Sequence, residues 1–450
     1  MATMYSLFSG SHSMLDRLFS LHERGTSVER EVIAGLATFM TMAYIIFVNP
    51  QVLKSAGMPV EPVVAATCIA AAIPTLIMGL WANYPFALAS GMGLNAALTM
   101  QATRPGMDWQ TMMGVIVVEG ALVTVLVLTR VREQVMQAIP MNLKRAIGVG
   151  IGIFIAFLGL QHAGWVQRGE GGAFLTHGMF TAKGNLMSAV GLLLLMLLLA
   201  LRVRGAILLG ILGTAAIAFI ADRLTPGMPA LTVQPERWLA MPDFSTFGRA
   251  NIIGALQPAL IGVIFAFLIT DFFDTMGTVI GIGGQGGFLD ERGNLPHLNR
   301  VLLTDSLAAV WGGLCGASSV TTYIESAAGI SEGGRTGLTS VVVGILFLLS
   351  LVFAPLVAVV PAVATAPALI VVGYLMIRVV HEMDFDTVEE GVPAFLTMLL
   401  IPFTQSISFG IGVGFISHVA TMLLRGRGRE VSPWMYGIAL LFAISFAWGV

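Results

Sequence analysis

Long apolar runs separated by short polar loops extend along almost the whole 450-residue chain. A helix needs about 20 apolar residues to cross the hydrocarbon layer of a membrane, so each run is a candidate transmembrane segment. Seven runs occupy 32–52, 63–81, 84–100, 111–129, 146–165, 186–203 and 205–221. After a more polar stretch at 222–251, seven more occupy 252–282, 300–316, 317–330, 337–356, 357–380, 391–405 and 409–424. The pattern predicts an all-α polytopic membrane protein with about 14 transmembrane segments.

Two sets of seven segments would lie in opposite orientations, which is the inverted-repeat plan of many secondary transporters. Weak internal matches agree with this plan. An Ile-Pro pair at 139–140 precedes the fifth segment, as a Val-Pro pair at 360–361 precedes the twelfth. The third element, at 89–99, corresponds in the same way to 318–329. We therefore predict a 7+7 inverted repeat.

The third element and its counterpart, the tenth, are unusual. Residues 88–95 (LASGMGLN) and 316–325 (GASSVTTYIE) are too polar and too short for simple spanning helices. We predict that each is a short extended segment leading into a half-helix. Unpaired backbone groups are tolerated at membrane depth only where they face protein or a water-filled cavity. Both broken elements should therefore meet at one central site.

The distribution of basic residues predicts the orientation. With the N-terminus in the cytoplasm, sixteen of the 23 Lys and Arg residues fall on the cytoplasmic side and seven on the outer side. This is the bias that the positive-inside rule describes. We expect a multi-pass protein of the cell (plasma or inner) membrane. Residues 1–30 are interpreted as a cytoplasmic or interfacial N-terminus, and 431–450 as a terminal hydrophobic segment that either spans the membrane or lies at its surface.

Composition argues against several other classes of protein. Hydrophobic residues make up 56% of the chain and charged residues 11%, whereas a soluble domain carries about 25% charged residues. The net charge of −2 gives no reason to expect a nucleic-acid partner. Cys68 and Cys315 lie in apolar runs and are too few for a disulfide framework. Since His162, His297 and His418 share no ligand spacing, we expect neither a metal site nor a bound cofactor.

Acidic residues lie where membrane helices should carry none. Asp271 and Asp274 are three residues apart within one apolar run, and intramembrane carboxylates usually mark a working site. Removal from water favours the protonated form of a carboxyl group, which can then release its proton when the surroundings change. We expect Asp274 and Glu325 to share a site that binds substrate and carries a coupled proton. A structural hydrogen bond between helices is the alternative for each acid, above all for Asp271, Asp305 and Glu119.

Four further residues are candidate substrate contacts. They are polar residues or neighbours of the acids, namely Asn95, Thr278, Ile324 and Thr41. Asn95 is the counterpart of Glu325 in the first repeat, and a cap on the broken helix is its alternative role. Thr278 lies one helical turn after the acid of the eighth segment and therefore on the same face. Thr41 and Tyr44 rank lower, because Thr in membrane helices often bonds its own backbone.

Several long motifs occur in one order along the chain. They are GLATFMTMAYIIFVNP at 35–50, GMGLNA at 91–96, DFFDTMGT at 271–278, SSVTTYIESAAG at 318–329 and GGRTGLT at 333–339. In these motifs the chain resembles the AzgA-type adenine/guanine/hypoxanthine permeases. Those permeases belong to the wider nucleobase-ascorbate, or xanthine/uracil, transporter family. The likeness covers nearly the whole chain, from about residue 25 to residue 429.

The resemblance implies a division into two domains with the substrate between them. A core domain would comprise 31–130 and 252–356, which are segments 1–4 and 8–11. A gate domain would comprise 140–251 and 357–430, which are segments 5–7 and 12–14. In the family, an acid of segment eight and an acid or amide at the start of the tenth half-helix hold the base. The matching residues here are Asp274 and Glu325, with Asn95 in the third element, while Thr278 replaces the His or Asp of uracil and xanthine carriers.

The implied function is secondary active import of purine nucleobases (guanine, hypoxanthine and adenine) by proton symport, with an elevator-like movement of core against gate. The expected partners are the base, the proton and the lipid bilayer, and a homodimer is left open. One alternative is a carrier of another small uncharged heterocycle, xanthine or uracil, on the same fold. Another is a Mg²⁺-dependent membrane enzyme using Asp271 and Asp274, although no basic residue lies between Arg249 and Arg292 to bind phosphates. An anionic substrate is disfavoured by the acids.

Overall fold

The computed structural model describes residues 14–102, 107–129, 138–169, 175–226, 228–232, 241–290, 295–353, 357 and 360–447. The helices of the first half are α1 (Met14–Phe19), α2 (Val28–Met42), α3 (Ile45–Lys54), α4 (Val60–Ile77), α5 (Met92–Ala102), α6 (Trp109–Thr129), α7 (Met141–His162), α8 (Lys183–Ala200) and α9 (Ala206–Leu224). Those of the second half are α10 (Ile252–Ala255), α11 (Ile261–Gln285), α12 (Leu298–Cys315), α13 (Ser326–Ser331), α14 (Gly337–Ser350), α15 (Ala362–Ile377), α16 (Val388–Thr404), α17 (Ile407–Leu424) and α18 (Pro433–Ala447).

Short elements complete the described fold. The strands are β1 (Leu88–Ser90), β2 (Val166–Arg168), β3 (Leu175–His177) and β4 (Val320–Thr322). A π-helical turn extends α4 at Met78–Ala82, and 3₁₀ turns lie at Pro258–Leu260, Leu351–Phe353, Arg378–Glu382 and Gly428–Glu430. The antiparallel pair β2–β3 forms a hairpin between α7 and α8.

The predicted all-α membrane fold is confirmed. Seven of the described helical stretches are by themselves long and apolar enough to cross a membrane. The eighth segment, predicted as one run, is divided: α10 and a 3₁₀ turn that begins at Pro258 precede α11. Proline has no N–H to continue the hydrogen-bond ladder of a helix. Parts of the predicted N-terminal region, of the eleventh and twelfth segments and of the terminal hydrophobic segment lie outside the described residues, namely 1–13, 354–356, 358–359 and 448–450.

The two broken elements meet, as the sequence predicts. Strand β1 pairs antiparallel with β4, with Leu88 opposite Thr322 and Ser90 opposite Val320. The pairing continues beyond the strands, since the N–H of Gly91 donates to the carbonyl of Ser319 at 2.8 Å. At this depth the bilayer offers no water, so each extended segment satisfies the backbone groups of the other. Half-helices α5 and α13 then follow the paired strands.

The remaining helices pack in two sets. In one set α6 packs on α12, and α14 packs on both α2 and α4; in the other, α7 packs on α15 and α16, and α15 packs on α8. Small residues allow the close approach of backbones that membrane helices use. A Cβ added at Gly152 of α7 would lie 2.7 Å from the Cβ of Met376 and 3.0 Å from the carbonyl oxygen of Gly373 on α15. Glycine is therefore required at this crossing.

Glu31 of α2 holds the loop that precedes α14. The side chain has no exposed surface. Its Oε1 accepts a hydrogen bond from the N–H of Arg335 at 2.8 Å, and its Oε2 accepts one from Oγ1 of Thr339 at 2.6 Å. The N–H groups of Thr336 and Thr339 donate to the same Oε2 at 3.3 and 3.2 Å. This carboxylate therefore ties the first segment to the turn at 333–339. None of the ion pairs found among the described residues involves it.

We expect Glu31→Gln to destabilise the protein by about 3 kcal/mol, because hydrogen bonds to a buried charged group contribute about 1.5–3 kcal/mol each. The amide would also place an N–H₂ among N–H donors. The measurement is thermal unfolding of the purified protein in detergent. Glu29→Gln is the matched control, since Glu29 lies in the same first turn of α2 but is exposed. Equal melting temperatures for the two variants would contradict the role given to Glu31.

Candidate functional site

Two acidic side chains and one apolar side chain have exposed surface near the paired strands, and we call this surface the opening. Asp274 lies near the middle of α11 and is exposed, although other helices surround that helix. Glu325 is the residue before α13 and is half-exposed, and its neighbour Ile324 is 61% exposed. Helix α11 packs on both β4 and α13, the elements on either side of Glu325, and this brings the two carboxylates near enough for their charges to interact. The structure thus brings together the acids that the sequence predicts as a pair.

The first half of the chain contributes Tyr44 to this opening. The Oη of Tyr44 donates a hydrogen bond to Oε1 of Glu325 at 2.8 Å. Tyr44 is only 1% exposed and lies in the two-residue break between α2 and α3. Thr41 also reaches this segment, since its Oγ1 donates to the backbone oxygen of Glu325 at 3.4 Å. Thr41 also donates a shorter hydrogen bond, of 2.8 Å, to the backbone oxygen of Thr38 in its own helix. This is the local bond for which the sequence analysis placed Thr41 below the other candidates.

Asp305 positions the strand that carries Glu325. Its Oδ1 accepts hydrogen bonds from the N–H and Oγ1 of Thr322, both at 2.7 Å. Its Oδ2 accepts from Oγ1 of Thr275 on α11. One carboxylate thereby joins α12, β4 and α11. Of the two roles that the sequence leaves for Asp305, these contacts favour the structural one.

Asn95 and Thr278 are buried in this structure. Asn95 has no exposed surface, and its Nδ2 donates to Oδ1 of Asn49. Asn49 in turn donates to Oγ1 of Thr67 at 2.8 Å and to the carbonyl of Ala317 at 3.2 Å. Thr278 is 8% exposed. The described contacts of Asn95 therefore belong to an interhelical network.

Tyr44 and Asn49 show which residues sequence reasoning undervalued or missed. Both lie in the first segment, within the motif at 35–50. An Asn directly before Pro50 in an apolar run carries the same cost as other intramembrane polar groups. That cost was the available signal for Asn49. The partner of Tyr44 could not be read from the chain, because Glu325 is 281 residues away.

The site is acidic. None of the ion pairs formed among the described residues involves Asp274 or Glu325. In the same part of the chain, no group of three or more His, Cys, Asp or Glu side chains has metal-binding geometry. Carboxylates accept hydrogen bonds, and they bind N–H donors most strongly when two adjacent donors are presented. The arrangement suits an uncharged ligand with N–H groups along one edge.

A large cavity of about 1410 Å³ lies elsewhere. Val52 and Thr99 line it from one set of helices, and Phe157, Gln161 and Phe403 from the other. Neither Asp274 nor Glu325 lines it. We place the candidate substrate site at the two carboxylates because their chemistry is specific, whereas the lining of the cavity is mostly apolar.

Comparison with known proteins shows similarity to permeases over most of the chain. The model of the Permease family, that of xanthine and uracil permeases, matches residues 29–413. The guanine/hypoxanthine permease PbuO of Bacillus subtilis is 42% identical over 434 residues, covering 95% of this chain and 99% of that protein. The adenine permease AdeQ of Escherichia coli is 40% identical over 439 residues, covering 97% of each.

Two solved structures have a similar fold. The transmembrane domain of the cyanobacterial bicarbonate transporter BicA has a TM-score of 0.62 at 15% identity, covering 84% of this chain and 96% of that one. The murine anion transporter Slc26a9 in its inward-facing state has a TM-score of 0.63 at 11% identity, covering 94% and 75%. These likenesses concern the fold alone, and they support the predicted inverted repeat. The chain is a multi-pass membrane transporter that belongs to the xanthine/uracil permease family, within the nucleobase-ascorbate transporters.

Proposed function

We propose that this protein is a secondary active transporter that imports purine nucleobases, namely guanine, hypoxanthine and adenine, together with protons. The observation that carries the proposal is the open pair of carboxylates, Asp274 and Glu325, neither of which forms an ion pair with a described residue. Relatives at about 40% identity over nearly the full chain are named for guanine, hypoxanthine and adenine, which supports the purine set.

The chemistry of the bases fits the two acids. Guanine presents two adjacent N–H groups along one edge, and a carboxylate accepts such a pair in bidentate fashion. Hypoxanthine presents ring N–H groups, and adenine an exocyclic amine. The exposed side chain of Ile324 offers apolar surface to a flat ring beside them. An anionic substrate would meet repulsion from Asp274 and Glu325, which makes an anion carrier the weaker hypothesis.

For the mechanism, we propose that a core of segments 1–4 and 8–11 moves against a gate of segments 5–7 and 12–14. Packing supports this division, because α6 lies on α12 and α7 lies on α15 and α16. The cavity of about 1410 Å³ opens between Thr99 of the first set and Phe157 of the second. Loosely filled space between the two tightly packed sets of helices would permit the core to slide along the gate.

For the orientation, we propose a cytoplasmic N-terminus in the cell membrane. Two ion pairs join loops that the positive-inside rule assigns to the cytoplasm. Arg145 pairs with Glu382 at 2.8 Å, and Arg204 with Glu332 at 2.6 Å. In this topology, both ion pairs lie on the same side of the membrane as the turn at 333–339 that Glu31 holds.

The test is uptake of labelled purines by proteoliposomes. An outside-acid gradient of one pH unit corresponds to about 1.36 kcal/mol, so one proton per base should concentrate the base up to about tenfold. An uncoupler should abolish this accumulation, so that the concentration of base inside the proteoliposomes equals that outside. Unlabelled guanine, hypoxanthine and adenine should compete, whereas xanthine and uracil should compete weakly. Uptake that ignored the gradient would refute proton symport, and competition by uracil or xanthine alone would refute the purine set.

A further inference from the structure

A further intramembrane acid, Glu119 of α6, has no visible use in the site above. It is fully buried, and neither of its carboxylate oxygens has a hydrogen-bond donor among the described residues. Helix α6 packs closely on α12 at the next residue, because a Cβ added at Gly120 would lie 2.8 Å from the backbone nitrogen of Val310 on α12. A buried carboxylate without a donor or a cation is costly. Some feature of its surroundings must offset that cost.

The groups that face Glu119 are themselves acidic. Helices α11 and α12 both pack on α6. They bring Asp271 of α11 and Asp305 of α12 near enough for their charges to act on the Glu119 carboxyl group, with Asp271 acting more strongly. The other helices packed against α6, which are α5 and α10, contain no titratable residue. Asp271 is also fully buried, and its Oδ1 accepts a hydrogen bond from Oγ of Ser319 at 3.2 Å. Asp305 is occupied by Thr322, so Asp271 is the group that pairs with Glu119.

Two facing carboxylates can only accept hydrogen bonds, and in a dry interior both cannot be ionised. One proton between them turns one carboxyl group into a donor and removes one of the two charges. We infer that Glu119 and Asp271 form a buried carboxyl pair that binds the coupled proton, separately from the carboxylates that bind the base. This inference rests on the proposed proton-coupled transport. In each transport cycle one proton binds a carboxylate oxygen of the pair from the outer side, and one proton is released from the pair toward the cytoplasm.

The pair is connected to the substrate site by two short routes. Asp271 precedes Asp274 by three residues and therefore lies about one helical turn away on α11. Ser319, which bonds Asp271, directly precedes β4, the strand that leads to Glu325. A shift of α11 or β4 when a base binds would change the distance between the two buried carboxyl groups. Glu119 itself is too deeply buried to contact a base, which separates proton binding from substrate binding.

The experiment compares coupling with exchange in proteoliposomes containing full-length Glu119→Gln protein. A Gln side chain can donate to Asp271 and so imitates the permanently protonated pair. Exchange of labelled for unlabelled base should stay within about threefold of wild type, whereas accumulation driven by an outside-acid gradient should fall from up to about tenfold to equilibration. Asp271→Asn should behave in the same way, since the pair titrates as one unit. Glu61→Gln, at an exposed position on α4, is the matched control and should accumulate base normally.

Gradient-driven accumulation at the wild-type level in Glu119→Gln would overturn the inference. Loss of both exchange and thermal stability in Glu119→Gln and Asp271→Asn alike would also overturn it, because the pair would then be structural. Accumulation driven by a sodium gradient and abolished in Glu119→Gln would assign the pair to sodium instead. If wild-type protein itself ignored the pH gradient, proton symport would fail as a whole, which the wild-type measurement reveals before any variant is compared.

Discussion

Replacing Glu325 by Gln should lower the affinity for purines at least about 100-fold and abolish uptake. Each hydrogen bond to a charged group contributes about 1.5–3 kcal/mol, and 1.4 kcal/mol corresponds to about tenfold in affinity. The amide would present one N–H₂ group to a base edge that itself carries N–H donors. It would also weaken the bond from Tyr44, now 2.8 Å long, by removing the charge that accepts it. The measurements are calorimetric binding in detergent and uptake by proteoliposomes.

The matched control for this change is Glu332→Gln, seven residues further along the chain. Glu332 pairs with the exposed Arg204, and such surface pairs contribute about 0–1 kcal/mol. Tyr44→Phe supplies a graded comparison: it removes one hydrogen bond but leaves the carboxylate, so affinity should fall by about tenfold. If Glu325→Gln bound guanine as tightly as Glu332→Gln does, the carboxylate would not be a substrate ligand.

Asp274→Asn should be the second most damaging change, lowering affinity by about 30-fold or more, on the order of one lost hydrogen bond to a charged group. Asp274 is exposed to the opening and lies near the charges of both Asp305 and Glu325. Removing its charge relieves that repulsion, so the variant should keep or gain thermal stability while it loses binding. This opposite movement of two measurements distinguishes a binding residue from a structural one.

The exposed Asp386, in the loop before α16, provides the control Asp386→Asn. That variant should retain both binding and stability. A large loss of stability in Asp274→Asn, with binding unchanged in the fraction that folds, would contradict the assignment of Asp274 to the substrate.

The two aspartates of α11 lie in different environments. Asp274 is exposed to the opening, whereas Asp271 is fully buried beside Glu119 and Ser319. A shared Mg²⁺ would need both carboxylates to face one hydrated space. The geometry does not support the enzyme hypothesis, and family membership assigns the chain to transporters.

Much of the fold followed from local properties of the chain. The apolar runs located the helices because crossing a bilayer requires about 20 apolar residues in sequence. The polar, Gly-containing stretches at 88–95 and 316–325 marked the broken elements, since such stretches cannot continue a lipid-exposed helix. Asp274 and Glu325 were identified by the cost of a carboxylate in a membrane segment.

Contacts between distant segments could not be read in this way. The bond from Tyr44 to Glu325, the network from Asn95 to Asn49 and the loop held by Glu31 each join segments that are 46 to 308 residues apart. The sequence shows that a polar group is present, but it does not show which neighbour satisfies it. Asn95 illustrates the difference, because a predicted site residue is fully buried against another amide.

The amino-acid sequence by itself determined the membrane class, the order of the apolar segments and the broken elements, and it predicted the acids of the site, because each depends on the local cost of placing a group in lipid. Only the tertiary structure decided which acid faces the opening, which pairs with another acid and which holds a strand in place. Asp274, Asp271 and Asp305 carry the same side chain, but the folded chain gives them different surroundings. Asp271 accepts a hydrogen bond from Ser319 at 3.2 Å and Asp305 accepts one from Thr322 at 2.7 Å, whereas Asp274 keeps exposed surface.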